Sequence, residues 1–122
     1  MAQRLPLIFV MLFFGTAYAA GFGPEPGAIN GKCLLKINSK VELEGPCWVY
    51  LETDGSFNFN SKRSNVFVYV NTDADNKNEG SAYWNAGKYS HADEDLGHVV
   101  RDHATACWKG NNAAVTICAW KL

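Results

Sequence analysis

The chain has almost no net charge, with 11 Lys and Arg against 12 Asp and Glu in 122 residues. Nucleic acids and anionic membrane surfaces recruit clustered cations, so this balance argues against both as partners. No amphipathic stretch holds a 3.6-residue period for ten or more residues, which excludes an ordinary helical bundle. The ligand spacings of common metal sites and the nucleophile motif of the large hydrolase folds are also missing. There is no C-x2-C pair, no H-E-x-x-H and no G-x-S-x-G, so neither a cysteine–zinc site nor a serine nucleophile elbow is expected. The apolar run from Leu5 to Phe14 is about half of the roughly 20 residues that a membrane-spanning helix needs.

That run has the features of a secretory signal peptide. Arg4 supplies the positive start, and Gly15 and Thr16 loosen the chain before the A-x-A pattern Ala17-Tyr18-Ala19. Cleavage is expected after Ala19 or Ala20. The first cysteine is Cys33, too far on for a lipid anchor beside the cleavage site. The expected organisation is a signal peptide over 1–20, a Gly/Pro entry arm over 21–30 and a single β domain over 31–122. The mature chain of about a hundred residues fits one domain, and the loss of Arg4 leaves it slightly acidic. A periplasmic or secreted location follows, with no membrane attachment after cleavage.

The remaining residues are strand-like. Gly31–Ile37 places Cys33, Leu35 and Ile37 on one face, and Asn38-Ser39-Lys40 has turn chemistry. Val41–Leu43 alternates, Gly45-Pro46 breaks the run, and Cys47–Glu52 resumes it. Thr53-Asp54-Gly55 is a hairpin signal before Ser56–Asn60, where Phe57 and Phe59 should point inward. Val66–Val70 follows, then the acidic loop Asn71–Gly80 and a strand at Ser81–Asn85. His91–Leu96 is expected to form one helical turn capped by Ser90. Val99-Val100 and a last hairpin around Gly110-Asn111-Asn112 end the chain. The fold class is therefore all-β, mainly antiparallel, a small barrel or sandwich of seven or eight strands with at most one short helix.

The four cysteines allow three pairings. Cys33–Cys47 and Cys107–Cys118 are favoured, because each pair flanks a hairpin that brings its strands together. An even number of cysteines in an oxidising compartment pairs fully, which leaves no catalytic thiol.

His91, His98 and His103 lie seven and five residues apart, spacings that put no two at i, i+4 on a helix. Asp73, Asp75 and Glu79 could supply a loose calcium site, but the EF-hand pattern fails, since Lys77 takes a ligand position and Trp84 stands where Glu belongs. No cofactor is expected, and the chain does not look like an enzyme. Trp48 and Trp108 each follow a cysteine, so they should face away from the sulfurs, and outward or at a seam if the disulfides are buried. For the tryptophans as a group, packing in the core is favoured over a binding surface. Trp84, after the acidic loop, is the tryptophan best placed for a binding contact.

A small exported domain without catalytic groups suits binding. The segment Tyr89-Ser90-His91-Ala92-Asp93-Glu94-Asp95 offers an aromatic ring, an imidazole and carboxylates for a protein partner. The Ala17-Tyr18-Ala19 signal, the size, the β pattern and the cysteine pairs resemble the small periplasmic inhibitors of Gram-negative bacteria, meaning lysozyme inhibitors and immunity proteins against cell-wall amidases. The order Gly80-Ser81-Ala82-Tyr83 differs from the SGxxxxY motif of the membrane-associated lysozyme inhibitors, so no residue role is carried over. The resemblance implies a protein that inhibits a basic peptidoglycan hydrolase, to which an acidic loop would be steered. The alternative is a glycan-binding module that uses tryptophans, with calcium at the acidic loop.

Overall fold

The computed structural model describes residues 24–88, 91–110 and 114–122. The signal segment, Tyr89 and Ser90, and the turn around Asn111 and Asn112 lie outside them. The described residues form eight antiparallel strands in chain order: β1 (Ile29–Ile37), β2 (Lys40–Leu51), β3 (Phe57–Ser61), β4 (Phe67–Thr72), β5 (Glu79–Trp84), β6 (Glu94–Asp102), β7 (Cys107–Gly110) and β8 (Val115–Lys121). Each pairs with the next, and β8 pairs with β1, which closes a barrel. Closure satisfies the hydrogen-bonding edge that an open sheet of this size would expose.

Alternation along the strands fills the interior. Cys33 and Leu35 on β1, Leu43, Cys47 and Val49 on β2, Phe57 and Phe59 on β3, Val68 and Val70 on β4, Val99 on β6, Trp108 on β7 and Ile117 on β8 all belong to one buried cluster. Their neighbours in sequence point outward, as a period of two requires. The inward Phe57 and Phe59 match the pattern expected from their alternation, and their rings lie 6.4 Å apart.

Local chemistry sets the corners. Asn38 and Ser39 both have positive φ, 52° and 70°, and join β1 to β2 by the two-residue turn whose twist suits a hairpin. The break expected at Gly45-Pro46 is absent, since β2 runs unbroken through both residues. Gly45, at φ 152°, takes a backbone conformation that side chains disfavour and so lets the strand continue.

The helical turn expected at His91–Leu96 is also absent. Glu94 and Asp95 begin β6 and pair with Trp84 and Tyr83 of β5. One helical turn makes too few hydrogen bonds to offset its nucleation cost, whereas the free edge of β5 offers partners directly. The register then shifts between Ala82 and Tyr83, which leaves Leu96 as the extra residue of a bulge.

Both expected disulfides form, Cys33–Cys47 and Cys107–Cys118, and are consistent with a location outside the reducing cytosol. They face opposite ways. Cys33 and Cys47 are part of the interior cluster, and Trp48 lies on the outer wall beneath the Lys62 ammonium, 3.9 Å from the ring centre. In the last hairpin the arrangement is reversed. Trp108 points inward and is only 7% exposed, so Cys107 and its cross-strand partner Cys118 lie on the other face of their strands, buried there although outside the interior cluster. Trp108 therefore packs in the core, the place favoured for the tryptophans, and not outward as its cysteine neighbour would have put it.

Candidate functional site

Antiparallel strands in an up-and-down barrel put alternate connections at opposite ends. At one end lie the turns β1–β2, β3–β4 and β5–β6. At the other lie β2–β3, β4–β5 and β6–β7, together with the start of β1 and the end of β8.

Among the described residues, the first end is closed over by a buried amide. Asn85 follows β5 and is 1% exposed. Its Oδ1 accepts from the N–H of Phe67 and of Gly87, both at 3.1 Å. Its Nδ2 donates to the carbonyl of Asn65 at 2.7 Å and to that of Lys88. One buried amide thus uses its full bonding capacity to tie the β3–β4 and β5–β6 connections together. Trp84, the indole expected to contact a partner, packs half-buried against the core beside it. Beyond it, His91, Asp93, Glu94 and Asp95 are exposed, an acidic rim on the closed end.

The second end is open. A cavity of about 310 Å³ enters the barrel there. Val49, Phe57 and Trp108 form its floor, with the Phe57 and Trp108 rings 6.1 Å apart. Ile29, Ala119 and Leu51 form the wall, and Leu51 is 65% exposed although it occupies an inward position opposite Phe57. Trp120 stands at the rim, 38% exposed. Gly31 helps shape this end, because a Cβ there would lie 2.7 Å from the Trp120 carbonyl and 2.9 Å from Val49.

The charged lining residues are Arg101 and Lys121. Arg101 pairs across strands with Trp108, and Lys121 with Gly31, which places both on inward positions. Neither forms an ion pair with a carboxylate among the described residues. Two carboxylates at this end bond to backbone groups of their own turns. Asp54 accepts from the Ser56 N–H at 2.9 Å, a bond that holds its carboxyl below the usual range. Asp102 accepts from the Ala104 N–H at 3.0 Å.

Part of the mouth is braced. The Thr72 N–H donates to Ser56 Oγ at 3.0 Å, and its hydroxyl donates to the Asp54 carbonyl at 3.1 Å. These bonds fasten the β2–β3 turn to the end of β4.

The acidic loop only partly assembles the expected calcium set. Asp73 and Glu79 come together with His98, their ligand atoms within 4.8 Å of one another, while Asp75 stays outside this group. A nitrogen donor beside two carboxylates suits zinc-like ions better than calcium. Here Glu79 is instead held by His98 at 3.0 Å and by the Asn76 amide at 2.9 Å.

The four tryptophans do not share a face. Trp48 is on the outer wall, Trp84 in the shut end, Trp108 in the floor of the mouth and Trp120 at its rim. The outer wall carries a row of Tyr50, Asn58, Tyr69 and Tyr83 in cross-strand register instead. Burial pushes the Tyr69 phenol up, with the Glu52 and Asp54 carboxylates adding to the effect.

The mouth escaped sequence reasoning because its residues come from both ends of the chain. The one available signal was the alternation Val99-Val100-Arg101, which puts Arg101 on the inward face of β6 with Val99. Comparison with protein-family models, with curated proteins and with solved structures returned no match. What the geometry defines is a class: a closed eight-stranded meander barrel, doubly stapled, with one sealed end and one apolar mouth.

Proposed function

We propose that this chain is a binding protein that holds a small apolar ligand in the mouth of its barrel. The observation that carries the reading is the cavity of about 310 Å³ floored by Val49, Phe57 and Trp108. It falls in the size range of small-molecule pockets, roughly 300–1,000 Å³, and has the expected makeup of aromatic and aliphatic walls with few polar groups. Eight-stranded barrels of this kind have room for one small ligand. A rigid wall with two disulfides keeps the site formed before binding, which lowers the ordering cost.

The test is a titration with N-phenyl-1-naphthylamine, a neutral dye that brightens in apolar surroundings. One saturable site per chain is expected, and Ala106→Trp should abolish it. Ala106 lines the mouth and is exposed, so a bulky ring there blocks entry without disturbing the core. Absence of saturable binding, or equal binding by Ala106→Trp, overturns the reading.

A second reading rests on the opposite end. His91, Asp93, Glu94 and Asp95 are exposed on a base pinned by Asn85, a presentation that suits a basic protein partner such as a cell-wall hydrolase, and hence an exported inhibitor. Asp93→Asn/Glu94→Gln/Asp95→Asn should then weaken capture of a basic hydrolase from a periplasmic extract. Capture that is unchanged by the triple substitution removes this reading.

A further inference from the structure

We infer that the ligand of the mouth is a free amphiphile with one anionic end, a carboxylate or phosphate on an apolar tail of about ten carbons; this rests on the reading of the mouth as a ligand site.

The first argument is the sign of the charge. The chain as a whole is balanced, with 11 cations and 12 anions. The mouth is not, since its charged lining residues, Arg101 and Lys121, are both cations. Neither faces a carboxylate partner among the described residues, and Asp54 and Asp102 bond to backbone N–H groups of their own turns. A guanidinium at the edge of an apolar cavity presents a planar fork of donors that matches carboxylate and phosphate oxygens.

The second argument is arrangement. Arg101 and Lys121 stand on β6 and β8, with only β7 between them, so their arms rise from strands about 10 Å apart. Trp108 on β7, opposite Arg101 and Ile117, belongs to the apolar floor, and Lys121 lies four residues beyond Ile117, about 13 Å further along β8 toward the rim. With Arg101 beside the floor and Lys121 nearer the rim, a head group at the mouth within reach of both long arms leaves its tail to lie on Trp108, Phe57 and Val49. The size of the tail follows from the cavity. At roughly 30 Å³ per methylene-sized group, close to water's share of liquid volume, about ten such groups fit. The exposed Leu51 and Trp120 would be covered by the part of the ligand nearest the surface.

The experiment is competition against N-phenyl-1-naphthylamine by four C10 amphiphiles used below their micelle concentrations: decanoate, decyl phosphate, decanol and decyltrimethylammonium. Both anions should bind about tenfold more tightly than decanol, a difference of 1.4 kcal/mol, and the cation should bind more weakly than decanol. The preference of decanoate over decanol should shrink with added salt. It should fall to near one in Arg101→Gln/Lys121→Gln and stay intact in Lys109→Gln, whose side chain is exposed on the outer side of β7. Equal binding of decanoate and decanol overturns the anionic head while the apolar site stands. No competition by any of the four, with no saturable dye binding, overturns the site itself. Cosedimentation with phosphatidylglycerol vesicles, with decanoate and decyl phosphate both failing to compete, overturns the free ligand in favour of a membrane surface.

Discussion

The two ends of the barrel are built from the same alternating strands and finish differently. At the shut end, polar chemistry completes the structure: Asn85 satisfies four backbone groups from a position 1% exposed. At the open end, apolar chemistry is left unfinished. Leu51 sits on an inward position and is still 65% exposed, above a floor of Phe57 and Trp108. A barrel that needed only stability would be expected to fill that space, because an unfilled cavity forgoes packing energy. The contrast separates the residues that hold the fold from those that are free to bind.

The same division appears in the two Cys-Trp hairpins. In the first, the disulfide is inside and Trp48 outside. In the second, Trp108 is inside and contributes to the mouth, while the disulfide is on the other face of its strands. The second staple thus holds β7 and β8 together without taking up interior space at the ligand end.

The largest effect that sharpens this comparison should come from Asn85→Ala. It leaves buried N–H and carbonyl groups without partners, a loss of about 3 kcal/mol or more, and should lower the thermal midpoint by roughly 10–20 °C. Dye binding at the mouth should persist at temperatures where the variant is folded. Scanning calorimetry together with dye titration checks both parts, and loss of binding in the folded variant would show that the two ends are not independent.

Next is the second staple. Cys107→Ser/Cys118→Ser opens a loop with sequence separation 11 and should cost about 3 kcal/mol in the loop-entropy view, read as a lower urea midpoint. Leu51→Asp should follow. The side chain is mostly exposed, so stability should change by less than about 0.5 kcal/mol, while affinity for the neutral dye falls several-fold. If Leu51→Asp binds dye as the parent does, the rim is not part of the site.

The smallest effect concerns pH. The Asp54 carboxyl is held below its usual range by the Ser56 N–H. A group lowered in this way contributes stability above its unfolded value, near 3.9, and loses it as pH falls through its lower folded value. The β2–β3 turn should therefore loosen in acid, and Asp54→Asn should remove that dependence. Amide exchange at Gly55 and Ser56 measured from pH 5 down to pH 2 reads it out.

Much of the barrel was legible in the sequence because alternation is a local signal. Phe57 and Phe59, the Asn38-Ser39 turn and both disulfides follow from neighbours and hairpins. The orientation of the second hairpin was not legible. Alternation says that Cys107 and Trp108 face opposite ways, but which faces inward is decided by ring closure through β1 and β8. Glu94-Asp95-Leu96 looked helical because its polar residues suit a first turn, and the exposed edge of β5 outweighed that preference. Asp73, Asp75 and Glu79 were recognised as potential ligands, whereas His98 joins Asp73 and Glu79 only because β5 and β6 pair and set Glu79 and His98 on adjacent strands. The mouth needs residues from Ile29 to Lys121, a separation that no motif spans.

The most direct test is the indole N–H spectrum of the protein labelled with nitrogen-15, recorded during titration with decanoate. The four tryptophans occupy different places, so each reports a different region. A ligand in the mouth predicts that the Trp108 resonance shifts and saturates, while those of Trp48 on the outer wall and Trp84 in the shut end stay in place. A Trp108 resonance that does not move, or shifts confined to Trp48 or Trp84, would contradict it.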